Sequence, residues 1–240
     1  MKTETAPVNF ERAVLSFEPK NIELLQKEVF CLYIEDIPEA ITRRLPIYYR
    51  NVCAMEAEGF EKTTSAKIAE RSGNTAIQVR QDFFTCGGID NYSIASLKSR
   101  LKELLGIQKR HNMVIVGGGN LGRALASCRE FENEGFFVNA IFDSNLSLVG
   151  MQVCGIPILN ANLFEEYLKD NETDIVIIAT PAEAAEKIMK KAVDGNVGGI
   201  WNFAPVDLRS CGGTKVRNVN LCDSLLTLSL MTSGFSGSPE

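Results

Sequence analysis

Two periodicities divide the chain. Over residues 36–110 apolar positions recur at helical spacing, whereas from residue 111 short apolar runs alternate with helical stretches. The first part opens on Asp36-Ile37-Pro38-Glu39, where Asp36 suits a cap, Pro38 a first turn and Glu39 the return half of a capping box. The stripe Ile37, Ile41, Leu45, Tyr48, Val52, Met55 follows, Pro46 predicts a kink or broken turn within it, and Gly59 a stop. Thr64 or Ser65 then caps a short helix to about Arg71, Ser72-Gly73-Asn74 turns, and a second helix runs from about Thr75 to Phe84. Two short helices across a glycine turn make a helix-turn-helix, with Ile68, Ala69, Ile77, Val79 and Phe83 as its small core. Gln78, Arg80 and Gln81 then face outward as candidates for a DNA groove, against the plainer alternative of a generic helical hairpin. Cys86–Tyr92 reads as a turn or very short wing, and the stripe Ile94, Leu97, Leu101, Leu104, stopped by Gly106, as a connecting helix.

From residue 111 the pattern changes to strands and helices in alternation: NMVIV (112–116), FFVNAIFD, an edge pair around VCGIPIL, a helix near Asn162–Lys169, DIVIIAT, the helix PAEAAEKIMKKAV, and GGIWNFAP. Such alternation predicts a mainly parallel sheet covered by helices on both faces. Ahead of both parts, residues 1–35 hold one short helical pattern, Asn21–Leu32, with Ile22, Leu25 and Val29 on one face. No function attaches to it.

Between the first strand and its helix lies Gly117-Gly118-Gly119-Asn120-Leu121-Gly122, a match to GxGxxG in the position where that motif carries meaning. Gly117 permits the tight turn, Gly119 lets backbone approach a pyrophosphate, and Gly122 lets the helix close on the strand. The helix start presents free N–H groups and partial positive charge to phosphates. Asp143 ends the second strand at the distance expected for a ribose diol, and no Arg follows it, so NAD(H) is expected over NADP(H). Ala179-Thr180-Pro181 and Phe203-Ala204-Pro205 end later strands at the carboxyl edge, where ligands of open α/β sheets sit; ordinary strand-to-helix turns would use the same residues.

Composition narrows the class. The net charge of −5 is uneven: residues 36–110 carry 12 Lys+Arg against 9 Asp+Glu, residues 111–240 carry 9 against 15, and residues 1–35 carry 4 against 6. A mildly basic segment on an acidic body suits a DNA-reading head on a ligand-binding body. Seven scattered cysteines (31, 53, 86, 128, 154, 211, 222) form no CxxC pair, and His111 is the only histidine, which argues against a zinc site, any other metal centre or a disulfide framework. No run approaches a membrane span and no secretory pattern opens the chain, so a soluble cytoplasmic protein is expected.

These motifs together resemble the Rex family of bacterial redox-sensing repressors over about residues 37–232. The matching stretches are IPEAITRRLPIYYR, AIQVRQDF, VGGGNLGRAL, IFDSNLSLVG, IIATPAEAAEKI, NFAPVDL and LLTLSL. The resemblance implies an α/β protein with an N-terminal winged-helix domain (36–109), a Rossmann NAD(H)-binding domain (110–220), a C-terminal helix (221–233) swapped between protomers, and a tail (234–240). It implies a homodimer that holds operator DNA with NAD⁺ or no nucleotide and releases it on NADH, through a switch set that falls on Arg44, Tyr92 and Asn220. Candidate DNA contacts become Arg43, Arg50, Thr75, Gln78, Arg80 and Gln81. Candidate nucleotide contacts become Gly117–Gly122 with Asp143, Ala179, Thr180, Pro181, Phe203, Ala204 and Pro205. The chain departs from the pattern in a short wing without basic residues, in Gln81 where a second basic residue is usual, and in Asn220 where the set calls for Asp. Two alternatives stay beside this reading: a nucleotide-binding regulator that no longer reads DNA, and a Rossmann oxidoreductase. The latter lacks a placed proton donor, since His111 precedes the first strand at the far end from a nicotinamide, and Cys154, Cys211 and Tyr167 have no evident partner base.

Overall fold

The computed structural model describes residues 37–89 and 92–233. The helix anticipated at Asn21–Leu32, the cap at Asp36 and the tail 234–240 lie outside the described residues. The chain divides between Gly106 and Ile107 into two compact units.

The first unit is helical. Helix α1 (Glu39–Ala57) buries Ile41, Leu45, Tyr48, Val52 and Met55, as the spacing anticipates, and Tyr49 with them, while Ile37 precedes the helix and is half-buried. Pro46 lies inside it without ending it. The break expected there is absent because Thr42, whose carbonyl loses its N–H partner, and Pro46 itself are both on the exposed side, where water takes the place of the missing donor. Helix α2 (Ser65–Ser72) is capped by Thr64, whose hydroxyl accepts from the Lys67 N–H, and ends on Gly73 at φ 68°. Helix α3 (Ala76–Thr85) starts one residue later than the pattern suggests, because Thr75 is its cap and accepts from the Gln78 N–H. Helix α4 (Ile94–Leu104) buries Ile94, Leu97, Leu101 and Leu104.

One core assignment is corrected. Ile77 is 69% exposed, while the buried stripe of α3 is Val79, Asp82, Phe83 and, just past its end, Cys86. Ile77 sits about 200° around the helix from Val79 and so faces away from that stripe. The wing is reduced as well. Among the described residues the head holds a single antiparallel bridge, Lys62 with Ser93, flanked by Thr63 N–H to the Tyr92 carbonyl (2.9 Å) and Ile94 N–H to the Glu61 carbonyl (2.9 Å).

The second unit is a seven-stranded sheet. Its strands are β1 (His111–Val116), β2 (Phe136–Asp143), β3 (Gln152–Val153), β4 (Ile156–Asn160), β5 (Ile175–Ile178), β6 (Gly199–Asn202) and β7 (Lys215–Asn218), in the order β3-β4-β2-β1-β5-β6-β7. Every pairing is parallel except the β3–β4 edge hairpin. Leaving out β3, this is the doubly wound order whose direction reverses between β1 and β5. Helices α5 (Asn120–Ala126), α6 (Arg129–Asn133), α7 (Phe164–Asp170) and α8 (Ala182–Asp194) connect the strands. Period-two alternation sorts the strand residues between two cores: Val114, Val116, Phe142, Val176 and Ile178 on one face, Met113, Ile115, Ile141 and Ile177 on the other. A sheet buried on both faces explains why its strands read as continuous apolar runs. The sequence pattern did not separate α6, and β7 was missed: its alternation of exposed Lys215 and Arg217 with half-buried neighbours marks a solvent-edge strand. Helix α9 (Leu221–Thr232) ends the described chain with no buried residue.

Candidate nucleotide crevice and DNA-reading head

The crevice lies where the strand order reverses. Gly117 follows β1 at φ 111°, and a Cβ there would lie 2.7 Å from the Ala179 carbonyl carbon, so only glycine lets the two strand ends meet. Its N–H donates to the Phe142 carbonyl (2.8 Å), and the Ala179 N–H donates to the Val116 carbonyl (2.8 Å). The three strand ends are thereby tied together. Gly122 in the first turn of α5 packs against this loop so closely that a Cβ would enter the Gly117 carbonyl group. Around a Cβ built on Gly119 nothing lies within 4 Å, and Gly119 caps α5 with no side-chain bond to its first turn. The three glycines therefore do three different jobs, in the arrangement a pyrophosphate requires. Asn120 and Leu121 open the helix beside it, the Asn120 side chain accepting from Arg123 (2.9 Å).

Asp143, the last residue of β2, is half-buried. One of its oxygens accepts the Gly118 N–H (2.6 Å) and the other the Asn145 N–H (2.7 Å). A carboxylate offers about four acceptor sites, so two remain for ribose hydroxyls. At the end of β5, the Thr180 hydroxyl is buried without a hydrogen-bond partner among the described residues. A hydroxyl of that kind costs free energy unless a ligand or water satisfies it. Pro181 caps α8 and is exposed.

The Phe203-Ala204-Pro205 turn is held by a buried amide pair that sequence reading overlooked. The Asn202 side chain is 0% exposed; it donates to the Val206 carbonyl (2.7 Å) and to Asn218 Oδ1 (2.9 Å), and accepts the Ala204 N–H (3.0 Å). Asn218 closes the ring through the Leu208 N–H (3.1 Å) and carbonyl (2.9 Å). An asparagine ending an apolar strand is the signal that was available, because a buried amide needs partners for all its groups. Phe203 donates its N–H to the Ile178 carbonyl (2.8 Å), which fixes this turn beside Ala179 and Thr180.

In the head, the residue that organises the helices is Asp82. It is 0% exposed, and Arg44 meets it in bidentate fashion, Nε to Oδ2 at 2.7 Å and Nη2 to Oδ1 at 2.8 Å. Tyr48 Oη donates to Oδ2 (2.7 Å) and Gln78 Nε2 to Oδ1 (2.9 Å). Burial works against the carboxylate charge, but the hydrogen bonds from Arg44, Tyr48 and Gln78 outweigh it and hold the Asp82 pKa below the usual range. Hydrogen bonding to Asp82 pushes the Arg44 guanidinium further up, and burial pushes the Tyr48 phenol up. Beside it, burial raises the Cys86 thiol to about 11, so it stays protonated and unreactive at neutral pH. A charged residue inside the stripe Val79, Asp82, Phe83, Cys86 was the sequence signal for this network, and it was missed.

The candidate DNA contacts separate accordingly. Gln78 is half-buried and committed to Asp82, so it does not project from the head as the spacing suggested. Arg80 and Gln81 are exposed, and Arg80 Nη1 reaches Ser65 Oγ (3.1 Å). Thr75 and Arg50 are exposed, and Arg43 is exposed and paired with Glu39 at 2.5 Å one helical turn earlier. Of the switch set, Arg44 is locked on Asp82, and half-buried Tyr92 packs against Phe83 (centroids 6.2 Å). Asn220 belongs to the second unit and caps α9 by accepting the Cys222 N–H (3.0 Å).

Residues 108–206 match the family model described as a CoA binding domain, and residues 36–83 match one described as the N-terminus of putative DNA-binding proteins. The redox-sensing transcriptional repressor Rex of Clostridium tetani is 38% identical over 200 residues, which are 82% of this chain and 95% of that one. Among solved structures, RSP in complex with beta-NADH superimposes with a TM-score of 0.76 at 34% identity, over 82% of this chain and 94% of that one. RSP in complex with beta-NAD⁺ and operator DNA superimposes with a TM-score of 0.77 at 32% identity, over 81% and 92%. A helix-turn-helix head, a doubly wound nucleotide fold and a full-length relative at this identity lead to one conclusion: the chain belongs to the Rex family of redox-sensing transcriptional repressors.

Proposed function

We propose that this chain is a homodimeric repressor of the cytoplasm that binds NAD(H) at the β1–β5 crevice, grips operator DNA with its helical head, and lets go when NADH binds. The observation that carries the nucleotide half is the fit of the crevice to an adenine dinucleotide: open backbone at Gly119, a carboxylate with two spare acceptor sites at Asp143, and the unsatisfied Thr180 hydroxyl. Gly118, Asn120 and Leu121 complete the phosphate cradle, and Ala179, Pro181, Phe203, Ala204 and Pro205 line the nicotinamide half. CoA is disfavoured, whatever the domain model is called, because its ribose bears a 3′-phosphate that would meet the Asp143 carboxylate. The same argument disfavours NADP(H).

Asp143→Ser is expected to weaken NADH binding about tenfold and to lift the discrimination against NADPH. Titration of each nucleotide by fluorescence energy transfer from Trp201 checks it, and unchanged selectivity would count against the ribose role.

An oxidoreductase is the weaker reading. Asp143 in this reading faces the ribose and not the nicotinamide, and His111 lies at the opposite end of β1, stacked on Phe136 at 5.0 Å. Neither is placed to exchange a proton with a substrate at the nicotinamide. Arg44 acts in this reading as a positioning residue for α3 and not as a mobile switch, since releasing it would strand the buried Asp82 charge.

The dimer reading rests on α9. Leu221, Leu225, Leu226, Leu228, Leu230 and Met231 are each more than half exposed within the protomer. So much apolar surface on one helix calls for a cover, and the swap between protomers supplies one. Leu225→Glu with Leu226→Glu is expected to sediment as a folded monomer in analytical ultracentrifugation, while a dimer that survives would place the interface elsewhere.

The test of the whole reading is fluorescence anisotropy of a labelled AT-rich palindrome at fixed salt, with NADH and NAD⁺ added separately. Binding reversed by NADH and not by NAD⁺ is the expected result. Nucleotide uptake with no DNA binding under any condition would leave a sensor for some other partner.

A further inference from the structure

The exposed face of α3 is unusual for a helix that is to meet a polyanion. Positions 77, 80, 81 and 84 share one side of the helix, at spacings of three, four and seven residues. They are Ile77, Arg80, Gln81 and Phe84, all exposed, the two apolar ones at 69% and 81%. The buried stripe of α3 is Val79, Asp82 and Phe83, and Ile77 is left outside it. The head offers this face little electrostatic help, because Gln78 is turned onto Asp82 and Gln81 is neutral. Its reading chemistry is therefore one guanidinium, one amide and two apolar side chains.

We infer, resting on the DNA-binding reading above, that Ile77 is a specificity-determining residue that reads a thymine through its C5-methyl group in the major groove. Ile77 is the second residue of α3, two past the Thr75 cap, and the first turn of a recognition helix is the part that reaches base edges. The major groove distinguishes thymine from cytosine by a methyl group, and an aliphatic side chain is the group that gains by covering it. A polar residue there would bury an unsatisfied donor against that methyl. Arg80 and Gln81, one turn further along, supply the hydrogen bonds to neighbouring bases. Phe84 lies about 10 Å along the axis from Ile77, close to the full width of the groove, and so outside the reach of the same base.

The experiment begins with the full-length protein and NAD⁺, selecting from a duplex library with a randomised core. The enriched duplex is then made in two forms, with thymine or with deoxyuridine at each position in turn, which removes only the methyl group. Wild-type protein is expected to lose about fourfold in affinity per half-site, or roughly sixteenfold for two heads, on replacing one symmetry-related thymine pair. Ile77→Ala is expected to lose a similar factor on the thymine duplex and nothing further on the deoxyuridine duplex. Its exposure makes it neutral for folding, which a thermal melt of the same sample verifies. Equal losses by Ile77→Ala on both duplexes, or a wild type indifferent to deoxyuridine everywhere, would overturn the inference while leaving DNA binding intact. A library with no enriched sequence would instead remove the DNA-binding reading on which the inference stands.

Discussion

Gly122→Ala is expected to abolish NADH binding and to destabilise the second unit by about 3 kcal/mol or more, the upper end of what overpacking does. The added methyl would enter the Gly117 carbonyl group, and that carbonyl has no room to retreat. Gly117 stands at φ 111°, its N–H is bonded to Phe142, and it is pressed against Ala179. Relief would separate β1 from α5 and so dismantle the loop. Gly119→Ala is the informative partner. Its methyl meets nothing in the protein, so the melting temperature should hardly move, yet the group projects where a pyrophosphate must approach. Calorimetry and NADH fluorescence on the two variants separate a folding role from a binding role. A Gly119→Ala protein that binds NADH as well as wild type would mean that the phosphates lie elsewhere.

Asp82→Ala is the second variant with a large expected effect, about 3–5 kcal/mol of head stability. It strands a largely buried guanidinium at Arg44, whose side chain is 22% exposed, and leaves the Tyr48 hydroxyl and the Gln78 amide without their acceptor. Arg44→Met combined with Asp82→Leu should recover much of that loss, since neither charge is then left unpaired. Chemical denaturation followed by circular dichroism reads all three proteins. The sign of the pH dependence follows from the depressed pKa. Asp82 binds its proton more weakly folded than unfolded, so its contribution is complete above the unfolded value of about 3.9 and is lost as the pH falls through the lower folded value. Wild type should therefore lose head stability below about pH 4, and Asp82→Asn should lack that component. DNA binding should fail with Asp82→Ala even where the head remains folded, because the same contacts set the direction in which α3 presents Arg80 and Gln81.

The placement of the network on Asp82 alters how the head is understood. A resemblance between families aligns residues by identity, and Arg44 is drawn that way into a switch. Within the head it pairs with a buried carboxylate 38 residues along the chain, reached by two hydrogen bonds. Gln78 turns for the same reason onto Asp82, and Ile77, expected in the core, is exposed. Together these shifts leave the exposed face of α3 a mixed surface of Ile77, Arg80, Gln81 and Phe84.

What the sequence determined by itself was whatever depends on short-range pattern. Apolar runs followed by glycine and then a helix located β1, the glycine loop and α5, because a strand, a tight turn and a helix start are each specified within a few residues. Thr64 was read as one of two possible caps for the same reason, and its hydroxyl accepts the Lys67 N–H. Only the tertiary structure decided which way the sides of a helix face and which polar groups are sealed inside. On α3 the spacing allows Ile77 or Asp82 to be the buried one, and local propensity favours burying the isoleucine. Arg44 and Tyr48, arriving from α1, make it possible to bury the carboxylate, and no pattern within ten residues encodes their arrival. Asn202 and Asn218 tell the same story in the sheet, sixteen residues apart in sequence and 2.9 Å apart in space. A buried polar group is acceptable only when distant partners satisfy it, so its position is a property of the assembled fold and is written nowhere in the local sequence.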